Sequence, residues 1–187
     1  RKIQKIDRHI RCTFSGLQAD ARVLIDKARL ESQSFRFNLE DDPTVEYIAK
    51  NVAGIKQQYT QKGGVRPFGI SMFIAGFQDG KPKLYQTAPS GAYNEWRANA
   101  IGRNASTLRE HLEKKWTAEL SKDDTIKLGI ETLLECVEAS NNIEICVISS
   151  DNSAVNLEDD KIKEICDKIT ADKEAAEEAK KNKNKKE

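Results

Sequence analysis

A chain of 187 residues with 31 Lys and Arg against 30 Asp and Glu carries a net charge of +1, so no overall basic field draws it to nucleic acid. At 38% apolar and 33% charged residues, it can form one domain with a buried core and a heavily charged surface. Four scattered cysteines (Cys12, Cys136, Cys146, Cys166) and two histidines (His9, His111) give neither metal-ligand spacing nor a disulfide framework, and no apolar run reaches membrane-spanning length. The expectation is a soluble, intracellular domain with no metal, no cofactor and no membrane or nucleic-acid partner, its cysteines acting as small apolar residues.

In chain order, a short extended piece over residues 2–6 turns at Asp7-Arg8. Ile10, Cys12 and Phe14 then alternate with His9, Arg11 and Thr13, the period of a half-buried strand. Gly16 breaks that pattern. From Leu17 the spacing becomes helical, with Leu17, Ala21, Leu24, Ile25 and Ala28 on one face. Asp42 before Pro43 predicts a capped second helix, whose stripe is Val45, Ile48, Ala49, Val52 and Ile55. Lys62-Gly63-Gly64-Val65-Arg66-Pro67 ends it. Residues 69–77 read as a central buried strand, Asp79-Gly80 as a hairpin turn, residues 84–87 as the return strand, and Ala92, Trp96 and Ala98 as a further strand. Two helices follow, one with Leu108, Leu112 and Trp116, the other capped by Ser121 with Asp124 three residues on. Strands over 143–148 and 154–157 and a helix with Ile162, Ile165, Cys166 and Ile169 complete the pattern. Hairpin-joined strands and paired helices predict an α+β layer architecture with antiparallel sheet. Residues 171–187 form a charged, Lys-rich extension, in which a helix runs outward before a disordered basic end.

Several strings resemble one family. Ser15-Gly16-Leu17-Gln18-Ala19-Asp20-Ala21-Arg22-Val23-Leu24 is similar to the start of the first long helix of proteasome alpha-type subunits. Gln58-Tyr59-Thr60-Gln61-Lys62-Gly63-Gly64-Val65-Arg66-Pro67-Phe68-Gly69 resembles the loop after the second, and is the most specific string. Lys83-Leu84-Tyr85-Gln86-Thr87, Pro89-Ser90-Gly91 and Ala100-Ile101-Gly102-Arg103 follow with that family's spacing. The resemblance covers residues 1–170. The Glu/Lys-rich ending is similar to that of the fourth alpha type in ring order. The resemblance implies a four-layer αββα sandwich of the N-terminal-nucleophile hydrolase type. Family members carry an N-terminal segment and a first β-hairpin before the residues that match Lys2, and the sequence as given lacks them. The expectation is that these residues belong to the functioning protein.

The chemistry of that fold needs a Ser, Thr or Cys whose own α-amino group is the base, so the nucleophile stands first in the mature chain. Cys12, Thr13 and Ser15 are nucleophiles by residue type only, with core packing, strand and helix-capping the ordinary uses. His9 and His111 read as exposed spacers. The resemblance therefore implies a non-catalytic subunit of the proteasome core alpha ring. Its implied partners are neighbouring alpha subunits, beta subunits, regulatory caps and unfolded polypeptide in transit, in cytoplasm and nucleus. Lys2 matches a lysine of a pocket between alpha subunits that receives the C-terminal carboxylate of an activator, with Gly16 and Leu17 beside it. Lys62, Gly63, Gly64 and Val65 match a turn that lines the channel constriction. By residue type alone Lys2 is a solvated edge lysine, and the glycine pair a plain turn. The basic run over 180–186 fits a solubilising tail, a nuclear-import signal or a contact for an acidic surface. Two other readings are a beta-type threonine peptidase and a free-standing interaction module.

Overall fold

The computed structural model describes residues 2–137 and 143–183, the last ten as backbone only. It forms two compact units, Arg1–Ala105 with Cys146–Val155, and Ser106–Ile145 with Asn156–Glu187.

The first unit is built on a five-stranded sheet in the order β1 (Gln4–Lys5), β2 (Ile10–Gly16), β3 (Ile70–Gln78), β4 (Lys81–Thr87), β5 (Tyr93–Glu95), with every neighbouring pair antiparallel. Helices α1 (Gln18–Leu39) and α2 (Val45–Gln61) pack on it. Their stripes (Ala21, Leu24, Ile25 and Ala28; Val45, Ile48, Ala49 and Val52) meet Ile10, Cys12, Phe14, Ile70, Met72 and Ile74 in one core. Complete burial of each large aliphatic there contributes roughly 1.5–3 kcal/mol. The Asp79-Gly80 turn has positive φ at both residues, 52° and 69°, which matches the twist of the β3–β4 hairpin. A short hairpin of β6 (Cys146–Ile148) and β7 (Ala154–Asn156) turns through Asn152 at φ 63°.

The second unit holds α3 (Ala105–Lys115, all but its first residue), α4 (Lys122–Leu134) and α5 (Asp159–Lys183). Ile130, Ile143, Ile162, Cys166 and Ile169 form its core. Ser121 caps α4 as expected, its hydroxyl accepting from the Asp124 amide at 3.2 Å.

Several expectations are corrected. Leu17 stands outside the core face of α1, 52% exposed, because its extended backbone (φ −70°, ψ 114°) precedes the first helical residue. Thr44, not Asp42, caps α2, its hydroxyl accepting from the Tyr47 amide at 3.0 Å. The Asp42 carboxylate is instead engaged by the guanidinium groups of Arg8 and Arg36. Ser15 caps no helix and pairs with Ser71 in the sheet. His9 is buried, its Nε2 2.8 Å from the Pro43 carbonyl, and His111 Nδ1 lies 3.1 Å from the Thr132 hydroxyl, so neither is an exposed spacer. The Asp7-Arg8 turn hides its acid: burial pushes the Asp7 carboxyl up, but Ser32, the Arg8 amide and Arg36 together hold it below its usual value. β3 alternates buried and half-buried residues instead of burying both faces, β5 stops before Trp96, and α5 carries helix through Lys183 into the basic run. The rest of that run, residues 184–186, lies outside the described residues.

Candidate functional site

The proposed docking residues sit where β2 hands over to α1. Gly16 ends β2 with φ 125°, a conformation that L side chains avoid, and a Cβ there would lie 2.2 Å from the Gly69 carbonyl oxygen. Only a bare backbone fits. One residue on, the Leu17 amide donates to that same carbonyl at 3.1 Å, and the Leu17 side chain packs over Gly69 while half of it stays in solvent. Ser15, on the other side of Gly16, meets the turn at Gly102, where an added Cβ would stand 2.9 Å from the Ser15 hydroxyl. Three of the strings that carry the resemblance thus converge on one corner. Lys2 is exposed and lies two residues before β1, whose register with β2 begins at Gln4 against Cys12.

Residues 62–65 form an open turn between α2 and β3. Lys62 ends α2, its amide donating to the Gln58 carbonyl and its ammonium resting 5.9 Å over the Tyr59 ring. Gly64 has φ 79°, and a Cβ added at Gly63 or Gly64 would meet nothing within 4 Å. Val65 is 44% exposed. The turn presents little side-chain bulk at Gly63 and Gly64.

Two features here escaped the sequence reading. Asp20, which lies off the apolar stripe read for α1, is buried, and both its oxygens accept from Arg66, at 2.7 Å each, while Oδ2 also accepts from the Gly69 amide at 2.9 Å. The Arg66 guanidinium, with the Gly69 amide adding to it, holds the Asp20 carboxyl below its usual value against the opposing effect of burial. Its one sequence signal was an acid in the first turn of a helix. Lys56 is fully buried, with Nζ 3.0 Å from the Ile70 and Thr87 carbonyls and 2.9 Å from the Thr87 hydroxyl. Burial without a counter-ion lowers its pKa to about 7.

The candidate nucleophiles are ordinary structural residues in this fold. Burial pushes the Cys12 thiol up to about 12, away from the reactive thiolate. Thr13 and Ser15 are half-buried in the β2–β3 ladder. Among the described residues, no group of three or more His, Cys, Asp or Glu is placed to hold a metal ion, and no helix is long and apolar enough to cross a membrane.

A family model described as Proteasome subunit matches residues 1–148. Among similar proteins, the proteasome subunit alpha type-7 of Dictyostelium discoideum is 52% identical over 184 residues, covering 97% of this chain and 73% of its own. The alpha type-7-B subunit of Arabidopsis thaliana is 52% identical over 185 residues, 97% of this chain and 74% of its own. The alpha type-4 subunit of Saccharomyces cerevisiae is 49% identical over 178 residues, 92% of this chain and 70% of its own.

Proposed function

The chain belongs to the proteasome subunit family as a non-catalytic, alpha-type member with that family's α+β N-terminal-nucleophile hydrolase fold, and on this premise we propose that it builds a heteromeric seven-membered alpha ring stacked on a beta ring. In that ring it touches two alpha neighbours, beta subunits below and regulatory caps above, and its loop at 62–65 borders the path of unfolded polypeptide during ubiquitin-dependent degradation, in cytoplasm and nucleus. Residues 1–170 supply the ring-building domain and 171–187 a charged extension. The observation that carries the docking part is the corner itself. Gly16 and Leu17 present a bare backbone and an exposed apolar wall at the end of β2. An ammonium partly desolvated at a subunit junction pairs strongly with a chain-terminal carboxylate.

Lys2→Ala is expected to leave the ring assembled and to weaken carboxylate-docking activators by roughly 2–5 kcal/mol, the usual loss when one partner of a desolvated charge-assisted pair is truncated. Titration of assembled particles with an activator checks it, and unchanged affinity for every such activator returns Lys2 to a plain edge lysine. A threonine-directed electrophile is expected to label beta subunits and leave this chain at its unmodified mass. An adduct on any of its residues would favour the peptidase reading instead.

A further inference from the structure

A cleft of about 480 Å³ lies wholly within the second unit, between the first turns of α4 and the first half of α5. Its size falls in the range of sites that take a small ligand or a few anchoring side chains. Ile126 of α4, Leu157, and Ile165 and Ile169 of α5 form an apolar floor. Ile169 is buried in the unit's core. Ile126, Leu157 and Ile165 pack against that core yet are only half-buried, so three large aliphatic side chains keep water-facing surface at one place. Beyond Ile169 the two helices are tied together, by Lys127 to Asp172 at 3.4 Å and by Glu135 to Lys173.

The two lips of the cleft differ in charge. From α4 come Asp123 and Asp124. The Asp124 carboxylate accepts from the Ser121 hydroxyl at 2.6 Å and keeps its charge, and Asp123 is exposed, with no partner among the described residues. Lys127 on the same lip is already spent on Asp172. From α5 come Glu164 and Lys168, which pair with each other, and Lys161, exposed and likewise without a partner among the described residues. With the paired groups cancelled, an acidic lip faces a basic one across the apolar floor.

We propose that this cleft seats an amphipathic helix of a partner protein, its apolar residues on the floor, a basic flank along Asp123 and Asp124 and an acidic flank along Lys161. Ile165 and Ile169 stand one helical turn apart, the spacing at which the i and i+4 side chains of another helix interleave. A helix arrives with its backbone groups already satisfied. An extended peptide needs a free sheet edge, and the lining offers none: it is helical apart from Leu157, whose amide already donates to the Ile145 carbonyl at 2.9 Å. A small anionic amphiphile would gain Lys161 but meet Asp123 and Asp124 across the same floor. Opposed lips suit a ligand that carries both signs, one on each side of an apolar ridge, and they fix its direction in the cleft.

The test uses the full chain in its native assembly and a synthetic helical peptide of about 16 residues, long enough to hold a helix and blocked at both ends. The peptide carries a leucine stripe, one of its leucines photoactivatable, with lysines along one flank and glutamates along the other. Its twin has the two flanks exchanged. Fluorescence anisotropy is expected to show the first peptide binding on the order of tenfold tighter, since each surface charge pair is worth up to about fivefold. Illumination is expected to attach it to Ile126, Leu157 or Ile165. Asp123→Lys with Lys161→Glu, both at exposed side chains, is expected to remove the preference between the peptides. Ile165→Ala is expected to weaken both about tenfold, as loss of an anchoring contact does. Equal affinity for the two peptides, or a preference that survives the double reversal, overturns the proposal. So does attachment elsewhere, or failure to bind because a neighbouring subunit covers the cleft. Binding of dodecanoate where neither peptide binds overturns it too, and assigns the cleft to small anionic amphiphiles. Because the probe has no free chain end, none of these outcomes bears on the docking reading of Lys2.

Discussion

Between pH 7 and 9 the buried Lys56 is expected to contribute about 2 kcal/mol of stability as pH rises, its slope approaching about 1.4 kcal/mol for each pH unit, and Lys56→Met is expected to remove that gain. Lys56 carries the prediction because its ammonium is fully buried among three neutral oxygens, with a pKa lowered from 10.5 to about 7 by burial. Below pH 7 the lysine is charged in both states, and folding bears the whole cost of desolvating it. Above pH 7 the unfolded chain still binds the proton and the folded chain does not, so stability rises with pH until the unfolded lysine also titrates. The window closes at pH 9 for a separate reason. Cys12, raised from 9.0 to about 12, and Tyr85, raised from 10.0 to about 12, are acids whose unfolded forms ionise first, so both give the opposite slope above that point. Lys56→Met keeps the stem volume and loses the titrating group, leaving the Ile70 and Thr87 carbonyls without that donor. Denaturant unfolding of both proteins across pH 7–9 decides it. Two parallel curves would mean that the ammonium finds solvation that its surroundings do not display.

What the sequence disclosed and what it concealed divide along contact range. The alternation of Ile10, Cys12 and Phe14, the Asp79-Gly80 turn and the Ser121 cap each depend on neighbours within a few residues, and each stands in the structure as read. Lys56 was partly legible. Ala49, Val52 and Ala53 set a phase that places residue 56 on the buried face of α2, yet a lysine there reads as polar and the half-buried Ile55 was preferred. Asp20 was hidden more deeply, because its partner Arg66 lies 46 residues away and no local spacing joins them. The same holds for Asp42, taken for a cap because Pro43 follows it, when Arg8 and Arg36 hold its carboxylate from other elements. At the candidate site, Gly16, Leu17 and the 62–65 turn were found through resemblance. The Gly69 backbone that Gly16 and Leu17 pack against is visible only in three dimensions.

Gly16→Ala is expected to destabilise the chain by roughly 2–6 kcal/mol, combining the strain of an unfavourable φ with the cost of overpacking against backbone. The methyl would be forced to φ 125° and to 2.2 Å from the Gly69 carbonyl oxygen, and that oxygen cannot retreat alone. It accepts from the Leu17 amide, and the Gly69 amide on the same residue donates to Asp20, so relief by movement of Gly69 breaks the ties that fix the start of α1 and the exit of the 62–65 turn together. The control is Gly63→Ala. Gly63 has no positive φ and open space at its Cβ position, so alanine there should be neutral or stabilising by up to about 1 kcal/mol through a less disordered unfolded state. Two glycines of the same family-like strings are therefore expected to respond in opposite directions. Denaturant midpoints of the two variants measure the difference, and a Gly16→Ala protein within 1 kcal/mol of the parent would show that β2 and Gly69 can separate at little cost. In that event the corner would be compliant, and close packing would not be what requires a bare backbone at Gly16.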